Sequence, residues 1–243
     1  MLAAPALLLA RRASAQDAAW VDQWEAALRR HVNTRGQVDF AGIAAAPDPR
    51  AEVVATVGRY APPPDAAAAL AHHINAYNAL AMFGIVLRGI PQSLSFAGRF
   101  GFFANTTIVV AGRRTTLKSY EDDVIRRLGE ERVHFTLNCM MRGCPRLPRE
   151  AFRAARLETQ LAAATREFCE SPYQVRPNPP DRSVQVSQIF EFFTDDFVPA
   201  KAPSIVAYLN LWRREKLPSD WRVRFFPYDW TVNRQTRGGD APE

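Results

Sequence analysis

No stretch of this sequence is unbrokenly apolar over the ~20 residues needed to span a bilayer, so no integral membrane segment is expected. It has no glycine-rich phosphate loop and no Gly-x-Ser-x-Gly elbow, which disfavours nucleotide enzymes and serine hydrolases. No internal repeat is present, so solenoids and propellers are excluded. Cysteine is scarce: Cys139, Cys144 and Cys169 are an odd number and cannot form a fully paired framework. The cysteines also lack the Cys-x-x-Cys spacing and the βαβ surroundings of a thioredoxin-like centre. Positive charge is abundant, at a net +6, but it is not gathered. Arg29-Arg30, Arg113-Arg114, Arg126-Arg127 and Arg213-Arg214 are spread along the chain without interleaved aromatics, so nucleic acid is not an expected partner.

What is present suits a globular protein. The 243 residues, 47% of them hydrophobic and 23% charged, can bury one substantial core in a single domain. The first residues look like a processing segment. A short apolar stretch ends at Leu7 to Ala10, and Ala13-Ser14-Ala15 is the small-residue pattern that signal peptidase favours, with the cut expected after Ala15. No basic residue precedes the apolar run and Arg11-Arg12 follow it, so the leader is read as clipped at its start. Residues 1–15 are thus expected to be a signal peptide, and the protein periplasmic or secreted.

Trp20, Trp24, Ala27, Leu28 and His31 recur at helical spacing, and residues 16–65 are expected to form a helix and linker packed on the domain. Pro47 and Pro49 interrupt the loop that follows that helix. Pro62-Pro63-Pro64 is a hard stop, with Asp65 as N-cap for a helix over Ala66 to Gly89 that is apolar on nearly every face and therefore central. Hairpins are expected over Thr106 to Lys118 and Gln174 to Ser187, and a helix from Ser119 as N-cap. Val133, Phe135 and Leu137 alternate with His134, Thr136 and Asn138, which predicts a strand. Further helices are expected over Arg149 to Phe168, Ile189 to Phe197 and Ser204 to Leu211, and a disordered tail over residues 234–243. The class is α+β: a helix-rich single domain, 66–233, with a central buried helix and short antiparallel hairpins.

Five segments carry a resemblance: INAYNAL (Ile74 to Leu80), TTLKSYEDDVIR (Thr115 to Arg126), HFTLNCMMRGCP (His134 to Pro145), QIFEFFTDDF (Gln188 to Phe197) and PYDWTVN (Pro227 to Asn233). In this order they resemble the domain-of-unknown-function family 547, from about Ala66 to Asn233. The resemblance implies a fold and a set of positions, but no reaction. Members similar to this chain usually have aromatics where it has His72-His73, and many have a histidine where Asp122 follows Glu121.

The chemistry centres on His134 to Pro145. A thiol beside an imidazolium ionises well below its ordinary ~8.5. Cys139 is therefore the candidate nucleophile, His134 its base, and Glu121 or Asn75 the group that orients the imidazole. The attack would be on an acyl group or a disulfide. In an extended strand position 139 points away from His134, so the two meet only if the chain turns at Asn138. Asn78, Cys144 and Asp229 complete the candidate site as binding residues. The expected substrate is an unidentified small molecule or peptide, with no cofactor. Two other readings stay open: a non-catalytic binding or scaffold module with a structural Cys139–Cys144 disulfide, and a zinc site built from His134, Cys139, Cys144 and His72 or His73. Asn75 and Asn78, three apart on an apolar helix, need fixed partners in either case. Cys169 is expected to be packed, and Asp195 and Asp196 to be surface or capping groups.

Overall fold

The computed structural model describes residues 19–45, 49–59 and 61–235. The expected signal peptide lies outside them, as does the expected tail apart from Arg234 and Gln235. Those two residues are tied down: Arg234 pairs with Val38, and Gln235 N–H donates to Val38 O (2.9 Å).

Helix α1 spans 19–31 and buries Trp20, Trp24 and Leu28 on one stripe, as its periodicity predicts. Two helices that were not anticipated follow, α2 (Phe40–Ala45) and α3 (Pro49–Arg59). Pro49 starts α3 instead of breaking a loop, because the first helical position needs no N–H partner. The central helix α4 (Ala66–Leu87) is buried from Leu70 to Phe83. Asp65 caps it by accepting from Ala68 N–H (2.9 Å), and Gly89 leaves it at φ +74°.

After α5 (Phe96–Phe100) and a wide turn over Gly101–Asn105, β1 (Ile108–Val110) and β2 (Arg113–Thr115) form the expected hairpin. Its turn residues Ala111 and Gly112 both have positive φ, the geometry that matches strand twist in a two-residue loop. Helix α6 (Leu117–Tyr120) begins at a cap from Thr116, not Ser119, and widens into a π turn over Glu121–Ile125. Helix α7 (Leu157–Glu170) is shorter than expected, because residues 149–153 are not helical. The second expected hairpin is β3 (Val175–Asn178) with β4 (Ser183–Ser187). The expected helix over Ile189 to Phe197 is two short ones, α8 (Ile189–Phe192) and α9 (Thr194–Phe197). Helix α10 (Ile205–Trp212) is capped by Ser204, and an unanticipated strand β5 (Arg222–Phe226) pairs parallel to β4. The fold is therefore helix-rich α+β with a two-stranded and a three-stranded sheet.

One core gathers around α4 and α1, and a second is aromatic, with Phe135, Phe168, Phe190, Phe197 and Tyr208 in contact. The segment expected as a strand lies between the two. Residues 131–135 form a 3₁₀ helix followed by an irregular run: all six residues from Val133 to Asn138 are buried, and among the described residues no strand pairs with them. Their polar groups are satisfied by side chains instead. Asn78 Nδ2 donates to Thr136 O (2.9 Å) while Asn78 Oδ1 accepts from Asn138 N–H (2.7 Å). One turn away, Asn75 makes the same two bonds with Phe152 O (2.8 Å) and Phe152 N–H (2.9 Å). Each amide thus stands in for a peptide group of a missing neighbouring strand.

Replacing Asn78 with Ala would leave Thr136 O and Asn138 N–H buried and unpaired. The expected cost is about 2–6 kcal/mol, since each of the two orphaned buried groups costs about 1–3 kcal/mol. Urea unfolding of Asn78→Ala against wild type measures it, and a loss below about 1 kcal/mol would contradict the clamp.

Candidate functional site

The chain leaves the Asn78 clamp and reverses sharply. Asn138 Oδ1 accepts from Met140 N–H (2.8 Å), and its Nδ2 donates to Pro145 O (2.7 Å), which closes the loop over residues 138–145. Met140 has φ +70°, a left-handed conformation that an unbranched but bulky residue holds only when its surroundings enforce it. They do so here. Its side chain is fully buried and its carbonyl accepts from Asn233 N–H (2.9 Å). The loop then pairs with the closing segment, through Met141 opposite Val232, Arg142 N–H to Thr231 O (2.8 Å) and Gly143 N–H to Asp229 O (2.9 Å).

This pairing brings Tyr228 over the cysteines. Cys139 and Cys144 are free thiols with their sulfurs 3.0 Å apart. Cys144 Sγ accepts from the Tyr228 hydroxyl (3.0 Å) and from Cys139 N–H (3.1 Å), and the Cys139 thiol is placed to give it a third bond. Among the described residues Cys139 Sγ has only Tyr228 Oη besides Cys144, at 3.4 Å. The asymmetry decides which sulfur carries charge. Burial works against ionisation of Cys144, but the bonds from Cys139 and Tyr228 outweigh it and hold this thiol below its ordinary value. Cys139 moves the other way, because its bond to Cys144 and its burial both retain its proton. Burial and the two nearby sulfurs push Tyr228 well up, so it remains a neutral donor. Tyr228 is held in turn by Gln188 Oε1, which accepts its N–H (2.7 Å).

Glu121 lies close enough for its charge to oppose ionisation of Cys139. Its Oε2 accepts from the Tyr77 hydroxyl (3.0 Å). Burial raises the Glu121 pKa, partly offset by His134 and Tyr77. His134 makes no hydrogen bond to either sulfur. Its Nε2 lies 2.7 Å from Asp196 Oδ2, and its ring stacks on Phe193 with centroids 4.0 Å apart. Arg126 grips the same carboxylate through Nε (2.8 Å) and Nη2 (3.0 Å) and reaches Asp122 Oδ1 through Nη1 (2.9 Å). Asp196 is therefore not the surface or capping group expected. The bond from His134 leads the forces that hold its carboxyl well below the usual range, with Arg126 adding to it against burial.

The candidate residues are thus distributed unevenly. Cys139 and Cys144 come together, Glu121 accepts from Tyr77, and His134 faces Asp196. Asn75 has both amide atoms on Phe152, and Asn78 holds the loop, so each acts on backbone. Asp229 is exposed and accepts from Thr231 N–H (2.8 Å), and its backbone carbonyl anchors Gly143. His73 Nδ1 lies 2.7 Å from Tyr120 Oη, and burial followed by His72 pulls its pKa down to about 4. Among the described residues no group of three His, Cys, Asp or Glu side chains is placed to share a metal, because His134 and the histidines of α4 face partners other than the sulfurs. The residues that sequence reasoning missed are Tyr228, Tyr77, Arg126 and Asp196. Tyr228 sits next to Asp229 in a motif that had already been singled out. Cys169 is packed as expected, with burial raising its thiol.

Residues 65–169 match the model of a family described as a protein of unknown function, DUF547. The chain resembles that family over a segment that includes α4, Glu121, His134 and all three cysteines. The motifs at 188–197 and 227–233, which supply Asp196 and Tyr228, lie beyond the match. No curated protein and no solved structure matches the chain. Among the described residues no helix is long and apolar enough to cross a membrane.

A Cβ on Gly143 would meet three ring carbons of Tyr228 at 2.8 Å. Gly143→Ala is therefore expected to push the phenol off the sulfurs and raise the Cys144 thiol pKa by about one unit. The pH dependence of Cys144 alkylation checks this, and an unchanged profile would show that Tyr228 does not tune the sulfur.

Proposed function

We propose that the protein performs thiol chemistry at the Cys139–Cys144 pair, with Cys144 as the attacking thiolate and a disulfide as substrate. The observation that supports this most directly is the pair of free sulfurs 3.0 Å apart with the donors converging on Cys144. Cys144 attacks one sulfur of the substrate disulfide, forms a mixed disulfide and releases the first substrate thiolate. Cys139 then loses its proton and attacks Cys144 Sγ, closing the Cys139–Cys144 bond and releasing the second thiolate. The dithiol gives up two electrons, and the substrate disulfide takes them.

An acyl substrate is less well served. An acyl mechanism of the expected kind needs an imidazole on the attacking sulfur, and His134 directs Nε2 at Asp196 instead. Cys139 is the less buried of the two thiols, so a small or peptidic disulfide would approach from its side. Export, favoured by the stretch from Leu7 to Ala15, would place the site where disulfides are plentiful.

Equilibration in dithiothreitol or glutathione buffers, read by thiol labelling of Cys139 and Cys144, tests the reading. A catalytic pair should titrate between about −120 and −270 mV, as thiol–disulfide oxidoreductases do. A potential below about −300 mV would identify a structural brace and overturn it. Cys139→Ser should trap the mixed disulfide on Cys144, and Cys144→Ser should form none.

A further inference from the structure

We propose that the thiol pair binds its substrate along an aromatic strip that runs from Phe192 over Tyr228 and Trp230 to Arg99, and that Arg99 holds a carboxylate of a peptidic disulfide laid on it. On the dithiol reading above, on which this rests, the substrate is thereby an anionic disulfide.

The strip is continuous, contact by contact. The Tyr228 hydroxyl lies 3.0 Å from Cys144 Sγ and 3.4 Å from Cys139 Sγ. Its ring lies 6.0 Å from that of Phe192 and 4.6 Å from that of Trp230, centre to centre. The Arg99 guanidinium, carried by α5, sits over the Trp230 ring at 4.6 Å and over the Phe96 ring at 5.6 Å. Phe96 is 81% exposed and Phe192 48%, so both ends are open to solvent. An exposed apolar run rimmed by charge is the kind of surface that marks a binding site.

Charge decides what the strip takes. Arg126, Arg132, Arg146 and Arg153 each grip a carboxylate of this chain, whereas Arg99 has none among the described residues. Its Nε is buried and has no hydrogen-bond partner among them. Two rings hold the guanidinium in place, so its planar fork is oriented for a carboxylate before one arrives. No aspartate or glutamate occurs between Ala66 and Tyr120, so the chain around Arg99 carries cations alone. Beside Phe192, by contrast, Glu191 accepts from Gln188 Nε2 (2.9 Å), and Asp229 is bonded to Thr231 N–H (2.8 Å). The substrate carboxylate therefore belongs at the Arg99 end. An extended peptide advances about 3.3–3.6 Å per residue, so a carboxylate about two or three residues from the disulfide reaches Arg99 from Tyr228.

Rates of mixed-disulfide formation on Cys144, read by quenched mass spectrometry in the Cys139→Ser protein that holds the adduct, test this. The anionic probe is glutathione disulfide and the neutral one is bis(2-hydroxyethyl) disulfide. Arg99→Gln should lower the ratio of the two rates about tenfold, the loss of one charged hydrogen-bonded contact. Salt at about 0.5 M should lower the ratio given by the unmutated Arg99 in the same direction. A ratio that Arg99→Gln leaves unchanged would overturn the proposal. S-methylglutathione, which cannot exchange, should shift the Trp230 indole N–H resonance, and less so in Arg99→Gln. No shift would also overturn the proposal, even if both disulfides react. Failure of both disulfides to form an adduct, with S-methylglutathione still shifting Trp230, would instead remove the dithiol reading and leave an anion-binding strip, a result distinct from the other two.

Discussion

The structure depends on one substitution of side chain for backbone. On α4, Asn75 and Asn78 each offer a donor and an acceptor to a main chain that has no strand beside it. Buried peptide groups must be paired, and an irregular segment between two apolar cores has no water to pair with. The Asn78 amide resolves this for the run that carries His134 and leads into Cys139. The segment can therefore be non-repetitive and still rigid, which a helix or a sheet at the same place would not allow.

That rigidity is what makes the turn at Met140 sustainable. A left-handed residue with a full side chain costs about 1–3 kcal/mol, and the surrounding bonds from Asn138 and Asn233 hold it there. The result is local: the backbone reverses within a few residues, Cys139 and Cys144 face each other, and the closing segment lays Tyr228 across both. Electrostatics then separates two residues of identical chemistry. Donors converge on Cys144, while Cys139 keeps its proton as one of them. A second charged assembly joins Asp122, Arg126, Asp196 and His134. Glu121 is the group influenced by both.

Much of this was legible in the chain wherever a local signal was decisive. Asp65 after three prolines marked the start of α4, and the expected hairpins over Thr106 to Lys118 and Gln174 to Ser187 turn at Ala111-Gly112 and at Pro179 to Asp181. The two asparagines on an apolar helix announced that something fixed had to meet them. The alternation from Val133 to Asn138 misled, because period two describes a strand only where a neighbouring edge exists, and here the partner is a side chain. Strand β5 was missed because its parallel partner β4 lies on the other side of α8, α9 and α10. The site was legible in part for the same reason. Cys139 and Cys144 are five apart, and their meeting followed from a turn. Asp196 lies 62 residues from His134 and Tyr228 lies 84 from Cys144, so no spacing rule links them. Which thiol ionises depends on Tyr228 as well as on the bonds within the loop, and so it could not be read from the loop alone.

The account stands on Cys144 being the charged member of the pair. Wild-type protein, reduced and titrated while thiolate absorbance is recorded, with brief alkylation and mass mapping at each pH, tests this directly. The account predicts that Cys144 ionises first, below the ordinary ~8.5 of a free thiol, while Cys139 stays protonated through that step. Ionisation of Cys139 ahead of Cys144, or of neither sulfur until about 8.5 is passed, would contradict it.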